Sequence, residues 1–239
     1  MRKILGILLG TAIAAQAGKT EESVVQLLEN GQFSQAQDEV NKSGAKGDEL
    51  VRLEAFLYQG AGMSDSALVY LRRAYEATPK DPRIDLRLAE VLVWRKDLVH
   101  ARAFADAVST EAIAKEPRPW ESQMRRAEVY LYLQDLSKAR RGFQEVAADR
   151  ATPSTWSTAA RVNLAQIAAW EKDFPRSLLI ADSVLDGDPG QVPASLIKGQ
   201  VLEWEGKYPD ARKAYTQALQ KHPDDWQLRQ RLEKLSWLK

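Results

Sequence analysis

Few side chains in this sequence could act as catalysts or bind a metal ion. The chain has no cysteine and two histidines, His100 and His222, which excludes most metal sites and most activated nucleophiles. The two histidines lie far apart in the sequence, and we expect both at the surface. Pairs of carboxylates fall where turns and helix starts are predicted, at Glu21, Glu22, Asp186, Asp188, Asp224 and Asp225. We therefore predict that the chain is not an enzyme and uses no metal and no cofactor.

Binding chemistry is indicated instead by four aromatic residues at similar intervals, each preceded by polar residues on the same helical face. Aromatic rings with polar neighbours suit a peptide or a sugar chain. We predict a partner-binding row from these residues and two on a preceding helix: Arg52, Phe56, Arg87, Glu90, Trp94, Arg125, Glu128, Tyr132, Asn163, Gln166, Trp170, Gln200 and Trp204.

A packing role for the same aromatic residues stays open, because a ring at a helix end can also plug a helix pair against the next one. Four further tryptophan residues are predicted to be packing residues only: Trp120, Trp156, Trp226 and Trp237.

The segment Gly199–Asp225 shows how such helices are arranged. It predicts two amphipathic helices, with Gly206 suited to the end of the first and Pro209 to the first turn of the second. In the second helix, Ala211 and Ala218 lie on one face. Small residues on facing helices allow an antiparallel pair to approach closely.

The setting of Ala211 recurs upstream at intervals of 34, 38, 38, 34 and 31 residues. The marker residues are Ser177, Ala139, Ala101, Ala67 and Ala36. We place the units at about 17–47, 48–81, 82–119, 120–157, 158–191 and 192–225. The third and fourth units are four residues over length, so longer turns are expected after them.

This pattern resembles the tetratricopeptide-repeat family over nearly the whole chain after residue 17. The resemblance implies an all-α fold, a right-handed α-solenoid of about six helix-turn-helix repeats, with the partner-binding face on the first helices. Residues 226–239 are predicted to form a capping helix. Its apolar residues would cover the last repeat: Trp226, Leu228, Leu232, Leu235 and Trp237.

Three runs that contain the aromatic positions are similar to the repeat domains of bacterial exopolysaccharide-export and outer-membrane proteins. They read LAEVLVWRKDLVHAR, LAQIAAWEKDFPRS and VLEWEGKYPDAR. The Lys and Asn pattern of the repeats that bind acidic chaperone tails is absent. The resemblance implies a scaffold in an envelope assembly.

The first 17 residues predict an export signal, with basic Arg2 and Lys3, an apolar run at 4–14 and a small-x-small site. We predict cleavage after Ala17 and a periplasmic or secreted protein without a lipidation cysteine. No later stretch is apolar for the roughly 18 to 20 residues that span a bilayer.

Composition agrees with a packed protein, because 44% of residues are hydrophobic and 28% are charged. Lysine and arginine (34) nearly balance aspartate and glutamate (33), so no nucleic-acid partner is indicated. The sequence thus predicts a non-catalytic periplasmic scaffold that binds a protein partner in polysaccharide secretion or outer-membrane biogenesis. The alternative is a module that binds carbohydrate or peptidoglycan through the same aromatic row.

Overall fold

The computed structural model describes residues 23, 24, 27, 31–44, 50, 51, 53, 54, 57, 58, 63–77, 79–116 and 118–236. The predicted signal peptide with its cleavage site after Ala17 lies outside these residues, as do Arg52, Phe56 and Trp237.

The secondary structure of the described residues is helical. In chain order they are α1 (Phe33–Lys42), α2 (Ser64–Ala77), α3 (Pro82–Trp94), α4 (Leu98–Ala107), α5 (Thr110–Ala114), α6 (Pro119–Tyr132), α7 (Leu136–Ala148), α8 (Ser154–Trp170), α9 (Phe174–Gly187), α10 (Val192–Trp204), α11 (Tyr208–Lys221) and α12 (Trp226–Ser236). Among these residues, no helix is long and apolar enough to cross a membrane.

The chain divides into two compact units, residues 1–142 and 143–239. In the first unit α3 packs against α2, α4 and α6, and α6 also contacts α4 and α5. In the second unit α8 packs against α9 and α10, α10 against α9 and α11, and α11 against α12. In each unit, therefore, the first helices of successive pairs contact each other, as α3 and α6 or as α8 and α10.

The small marker residues lie in the centre of this packing. Every one of them is 0% exposed: Ala36, Ala67, Ala101, Ala139, Ser177 and Ala211. At Ser177 the hydroxyl group donates a hydrogen bond to the Ala165 carbonyl oxygen at 2.9 Å, so α8 and α9 remain in close contact there. The residues that mark the repeat in the sequence are therefore the residues at which the helices pack in the core.

The turn that follows each of the four aromatic residues has one recurring geometry. After Trp94, Lys96 adopts φ +65°, and the backbone N–H groups of Lys96 and Asp97 donate to the carbonyl oxygens of Val93 and Leu92, both at 2.9 Å. This is the Schellman arrangement, which satisfies carbonyl groups that a helix end leaves open. It recurs after the other three aromatic residues, Tyr132, Trp170 and Trp204.

The residue that closes this turn also begins the second helix of the pair. The carboxylates of Asp97, Asp135 and Asp173 accept hydrogen bonds from the backbone N–H three residues later, at 3.3, 3.2 and 3.2 Å. Such a cap satisfies one of the free N–H groups at a helix start. In the last pair Lys207 stands at this position and provides no side-chain cap.

Replacing Lys172 with glycine is expected to stabilise the second unit by about 0.5–1 kcal/mol. Lys172 adopts φ +64°, a conformation that strains residues with a Cβ atom, whereas the equivalent Gly206 adopts φ +75° without that strain. Urea unfolding followed by circular dichroism measures the change. Lys172→Ala removes the same charge but keeps the Cβ atom, so an equal gain in that variant would contradict the backbone explanation.

The longer connection expected in the third unit is present between Ala107 and Pro119, and it contains the short helix α5, whose start is capped by Ser109 through a hydrogen bond from Ala112 N–H at 3.1 Å. The longer turn expected in the fourth unit is wrong, because the surplus residues there are helical. After the fourth, α8 begins early at Ser154 and runs for 17 residues, whereas α3 and α10 have 13. Caps and helix-forming residues in these inserts allow helices to form and to extend.

The capping helix α12 packs through Leu228 and Leu235, which are 0% exposed and contact the cluster that contains Tyr215. The prediction that Trp226 belongs to this apolar face is wrong, because its side chain is 54% exposed. Residues two apart on a helix point to nearly opposite sides, so Trp226 and Leu228 cannot both face the repeat. Of the other predicted packing residues, Trp156 is buried.

Candidate functional site

The four aromatic residues of the predicted row lie at equivalent places, because each is the last residue of a first helix: Trp94, Tyr132, Trp170 and Trp204. Their exposure differs. Trp94 is 37% exposed and Trp204 is 47% exposed, whereas Tyr132 and Trp170 are half-buried. The most exposed rings of the predicted row are therefore those of Trp94 in the first unit and Trp204 in the second.

In the first unit, three ionisable residues of the predicted row form a largely buried cluster between α3 and α6. Arg125 of α6 donates a hydrogen bond through Nη1 to Glu90 Oε2 on α3. Glu90 and Glu128 are both buried, and the Oε1 atom of each lacks a hydrogen-bond partner among the described residues. One guanidinium group thus lies close to two carboxyl groups.

This arrangement changes the protonation of the cluster. Burial, and then the negative charge of Glu90, raise the pKa of Glu128 to about 8, although Arg125 acts in the opposite direction. Burial disfavours the charge on Arg125, but the two carboxylates outweigh it and raise the pKa of the guanidinium group. Burial, with the nearby Glu128 and Glu90, also raises the pKa of the Tyr132 hydroxyl group. At neutral pH Glu128 is therefore mostly protonated, while Arg125 keeps its positive charge.

In the second unit the row carries amides instead of charges. Asn163 and Gln166 of α8 are buried; the Asn163 side chain donates to the Ala159 carbonyl oxygen at 3.2 Å, whereas Gln166 Oε1 lacks a partner among the described residues. Trp204 packs one side of its ring near Phe174, with centroids 5.8 Å apart and planes tilted by 35°. The other part of the indole ring accounts for its exposure.

The predicted row therefore separates into an inner and an outer part. Four of its members are buried: Glu90, Glu128, Asn163 and Gln166. The members that keep part of their surface exposed are Arg87, Trp94, Arg125, Tyr132, Trp170, Gln200 and Trp204. The described residues hold no group of three potential metal ligands.

Two acidic residues that sequence reasoning did not select also lie at structured sites. Glu203 accepts a hydrogen bond from the Tyr215 hydroxyl group at 2.6 Å and lies 3.7 Å from Arg231 of α12. Asp85, in the first turn of α3, is buried, and its Oδ1 atom lacks a partner in the described part of the chain. The signal for Asp85 was an acidic residue between the apolar residues Ile84 and Leu86.

Comparison with known proteins agrees with this geometry. Residues 120–236 match the family model of the tetratricopeptide repeat-like domain. Residues 120–236 therefore belong to the tetratricopeptide-repeat family. The matched segment covers the helix pairs from α6 onward and the capping helix, and it includes the recurring Schellman turns after Tyr132, Trp170 and Trp204.

Solved structures show the same α-solenoid of helical repeats. PilW, described as a widely conserved type IV pilus biogenesis factor, has a TM-score of 0.65 at 16% identity, over 92% of this chain and 100% of PilW. TTC0263, a thermophilic TPR protein of Thermus thermophilus, has a TM-score of 0.60 at 21% identity, over 79% and 97%. YrrB, described as a TPR protein with an unusual peptide-binding site, has a TM-score of 0.53 at 17% identity, over 84% and 97%. No curated protein matches the chain significantly in sequence.

Proposed function

We propose that this tetratricopeptide-repeat protein is a non-catalytic scaffold that holds a segment of a partner protein against the first helices of its repeats. The observation that carries the proposal is the exposure of Trp94 and Trp204, at 37% and 47%, on the ends of first helices. A tryptophan ring offers a large apolar face and an N–H donor, and it loses little conformational entropy on binding. Such residues are frequent among those that dominate binding energy.

The neighbours of the two rings support a peptide as the ligand. Half-buried Gln200 lies one helical turn before Trp204, and half-buried Arg87 lies two turns before Trp94. These groups can donate hydrogen bonds to carbonyl groups of an extended chain, while the buried side chains beneath hold the surface in one conformation. Each unit therefore offers its own binding surface, with one exposed indole ring and one polar side chain.

The setting that we propose is an assembly in the bacterial cell envelope, such as polysaccharide secretion or outer-membrane biogenesis. The predicted signal peptide at 1–17 and the fold shared with PilW, a type IV pilus biogenesis factor by its description, support it. Mass spectrometry of the protein from a periplasmic fraction is expected to give a chain that begins at Gly18. A chain that keeps Met1 and stays in the cytoplasm would overturn the envelope proposal.

Replacing both exposed rings, as Trp94→Ala with Trp204→Ala, is expected to abolish capture of a partner from an envelope extract by the tagged full chain. Each single ring that lies at the centre of an interface is expected to account for about 2 kcal/mol or more, roughly a thirtyfold change in affinity. Captured proteins are identified by mass spectrometry, and affinity is then measured with the purified partner. Circular dichroism checks that the variants remain folded.

Trp226→Ala is the matched control, because Trp226 is as exposed as Trp204 but begins the capping helix instead of ending a first helix. Loss of capture in this variant as well would mean that exposed tryptophan in general, and not the first-helix face, retains the partner. Quenching of tryptophan fluorescence by oligosaccharides, lost in Trp204→Ala, with no protein captured, would instead support the carbohydrate-binding alternative.

A further inference from the structure

A cavity of about 460 Å³ lies in the first unit, among α2, α3, α4 and α5. Its walls are mostly apolar and aromatic. Among the residues that line it are Tyr75, Asp85, Phe104, Ala107, Val108 and Ala112. Asp85 lies nine residues before Trp94 on α3, which places the cavity at the opposite end of this helix from the proposed partner-binding ring.

The carboxyl group of Asp85 gives the cavity its polarity. Asp85 is 6% exposed, and its Oδ1 atom has no hydrogen-bond partner among the described residues. The nearby Asp81 is already paired, since it accepts hydrogen bonds from Arg83 Nε at 3.0 Å and from Arg83 Nη2 at 2.6 Å. A buried carboxylate without a partner is unfavourable, so a cation that enters the cavity would remove that cost.

The aromatic walls suit the same kind of ligand. Tyr75 and Phe104 meet edge to face, with ring centroids 5.7 Å apart, and both line the cavity. Val108 adds a buried apolar surface. Aromatic faces attract cations and also contact the hydrocarbon stem of an amine. Lys80 is the cationic residue of the lining, and its side chain is exposed at the rim.

One wall of the cavity is formed by residues at which the third unit departs from the regular repeat. The third unit exceeds the usual period, and its longer connection contains α5 with its cap, Ser109. Both Ser109 and Ala112 line the cavity. The equivalents of Asp85 in the next three units are Gln123, Arg161 and Ser195. Among these four units, the third therefore combines a carboxyl group at this position with the extra helix α5.

We propose that this cavity binds a primary ammonium or guanidinium group carried on a short apolar stem, with Asp85 as its counter-ion. The site does not depend on the partner-binding function, because it uses none of the aromatic residues of the first-helix ends. The group is supplied either by a free amine or by a lysine or arginine side chain of a peptide, and both sources present the same chemistry to Asp85.

The test is calorimetric titration of the full chain with 4-phenylbutylamine near neutral pH, with 4-phenylbutanol as the neutral analogue. We expect saturable binding of the amine and no measurable binding of the alcohol. Asp85→Asn is expected to weaken amine binding by at least about tenfold, the effect of losing one charge-assisted contact. Equal binding of amine and alcohol, or unchanged binding in Asp85→Asn, would overturn the proposal.

Two further variants distinguish amine binding in the cavity from non-specific attraction to negative charge on the protein. Ala107→Leu fills space from the exposed side of α4 and is expected to weaken binding, whereas Glu76→Gln removes an exposed charge on α2 outside the lining and is expected to leave it unchanged. Circular dichroism confirms that each variant is folded. An equal loss in Glu76→Gln would show non-specific attraction and contradict the site.

The dependence on pH gives an independent readout. Burial, and then the charge of Asp81, raise the pKa of Asp85 to about 6. Amine affinity is therefore expected to fall as the pH drops through this range, while the paired Asp81 and Arg83 keep their charges. The half-buried Glu116 lies near Asp81 and Arg83, and burial raises its pKa as well. The Glu116→Gln variant is therefore the control, and its amine affinity is expected to depend on pH in the same way as that of the unchanged chain.

Titration with the capped tripeptides Gly-Lys-Gly and Gly-Arg-Gly then distinguishes a peptide side chain from a free amine as the preferred source of the cation.

Discussion

Arg125→Met is expected to destabilise the first unit by about 3–5 kcal/mol near pH 9. Arg125 donates a hydrogen bond to the buried Glu90 carboxyl group, and it also lies close to Glu128. Near pH 9 Glu128 is mostly ionised in the native chain, so the variant removes the guanidinium group that offsets buried negative charge at this place. Hydrogen exchange of amides in α3 and α6 measures the loss where it occurs.

The effect is expected to depend on pH because Glu128 titrates in the accessible range. Its pKa is about 8 in the folded chain and near 4.5 when unfolded, so the folded state binds the proton more tightly. The contribution of this group to stability is therefore complete below about pH 4.5 and is lost as the pH rises through about 8, at roughly 1.4 kcal/mol for each unit of displaced pKa. Near pH 6 the Arg125→Met variant loses less, because protonated Glu128 adds no second charge.

Two controls isolate the cluster. Glu128→Gln is expected to remove this pH dependence and to stabilise the chain near pH 9, since it replaces a buried carboxylate with a neutral group of the same shape. Arg141→Met alters an exposed arginine of the same unit and is expected to change stability by no more than about 0.5 kcal/mol. A loss in Arg125→Met that is the same near pH 6 and near pH 9 would contradict the assignment of the titration to Glu128.

Gly199→Ala is expected to destabilise the second unit by about 1–3 kcal/mol, although alanine favours helices. A Cβ atom at Gly199 would overlap the ring of Tyr215 on the facing helix α11. Tyr215 is 0% exposed, and its hydroxyl group donates to Glu203 at 2.6 Å. The ring therefore cannot move away without losing buried packing and this hydrogen bond. Urea unfolding followed by circular dichroism measures the change.

Gly187→Ala is the matched control, because Gly187 ends α9 and a Cβ atom there would meet no atom within 4 Å. That variant is expected to be neutral or more stable by up to about 1 kcal/mol. Combining Gly199→Ala with Tyr215→Leu is expected to cost less than the sum of the two single changes, since the smaller side chain relieves the overlap. Strict additivity would show that the Tyr215 ring is not what excludes the Cβ atom.

The sequence by itself determined the helix pairs and their phase. Small residues at Ala101, Ala139 and Ala211 mark the buried contact of each pair, because only small side chains permit two helices to approach so closely. Gly206 and Pro209 located the turn inside the last pair, and the same turn recurs after the other aromatic residues because its hydrogen bonds depend on local backbone geometry. Such features need only residues that are near each other in the chain.

Tertiary structure alone decided which members of the aromatic and polar row are accessible. Helical spacing places Glu90 and Trp94 on one face, yet Glu90 is 3% exposed and Trp94 is 37% exposed. Their difference depends on how closely α3 and α6 pack and on the position of Arg125, a residue from another repeat. The cavity beside Asp85 has the same origin, since its walls come from four helices of the unit. Periodicity determines the direction in which a side chain points, whereas burial depends on the neighbouring helices that the chain brings against it.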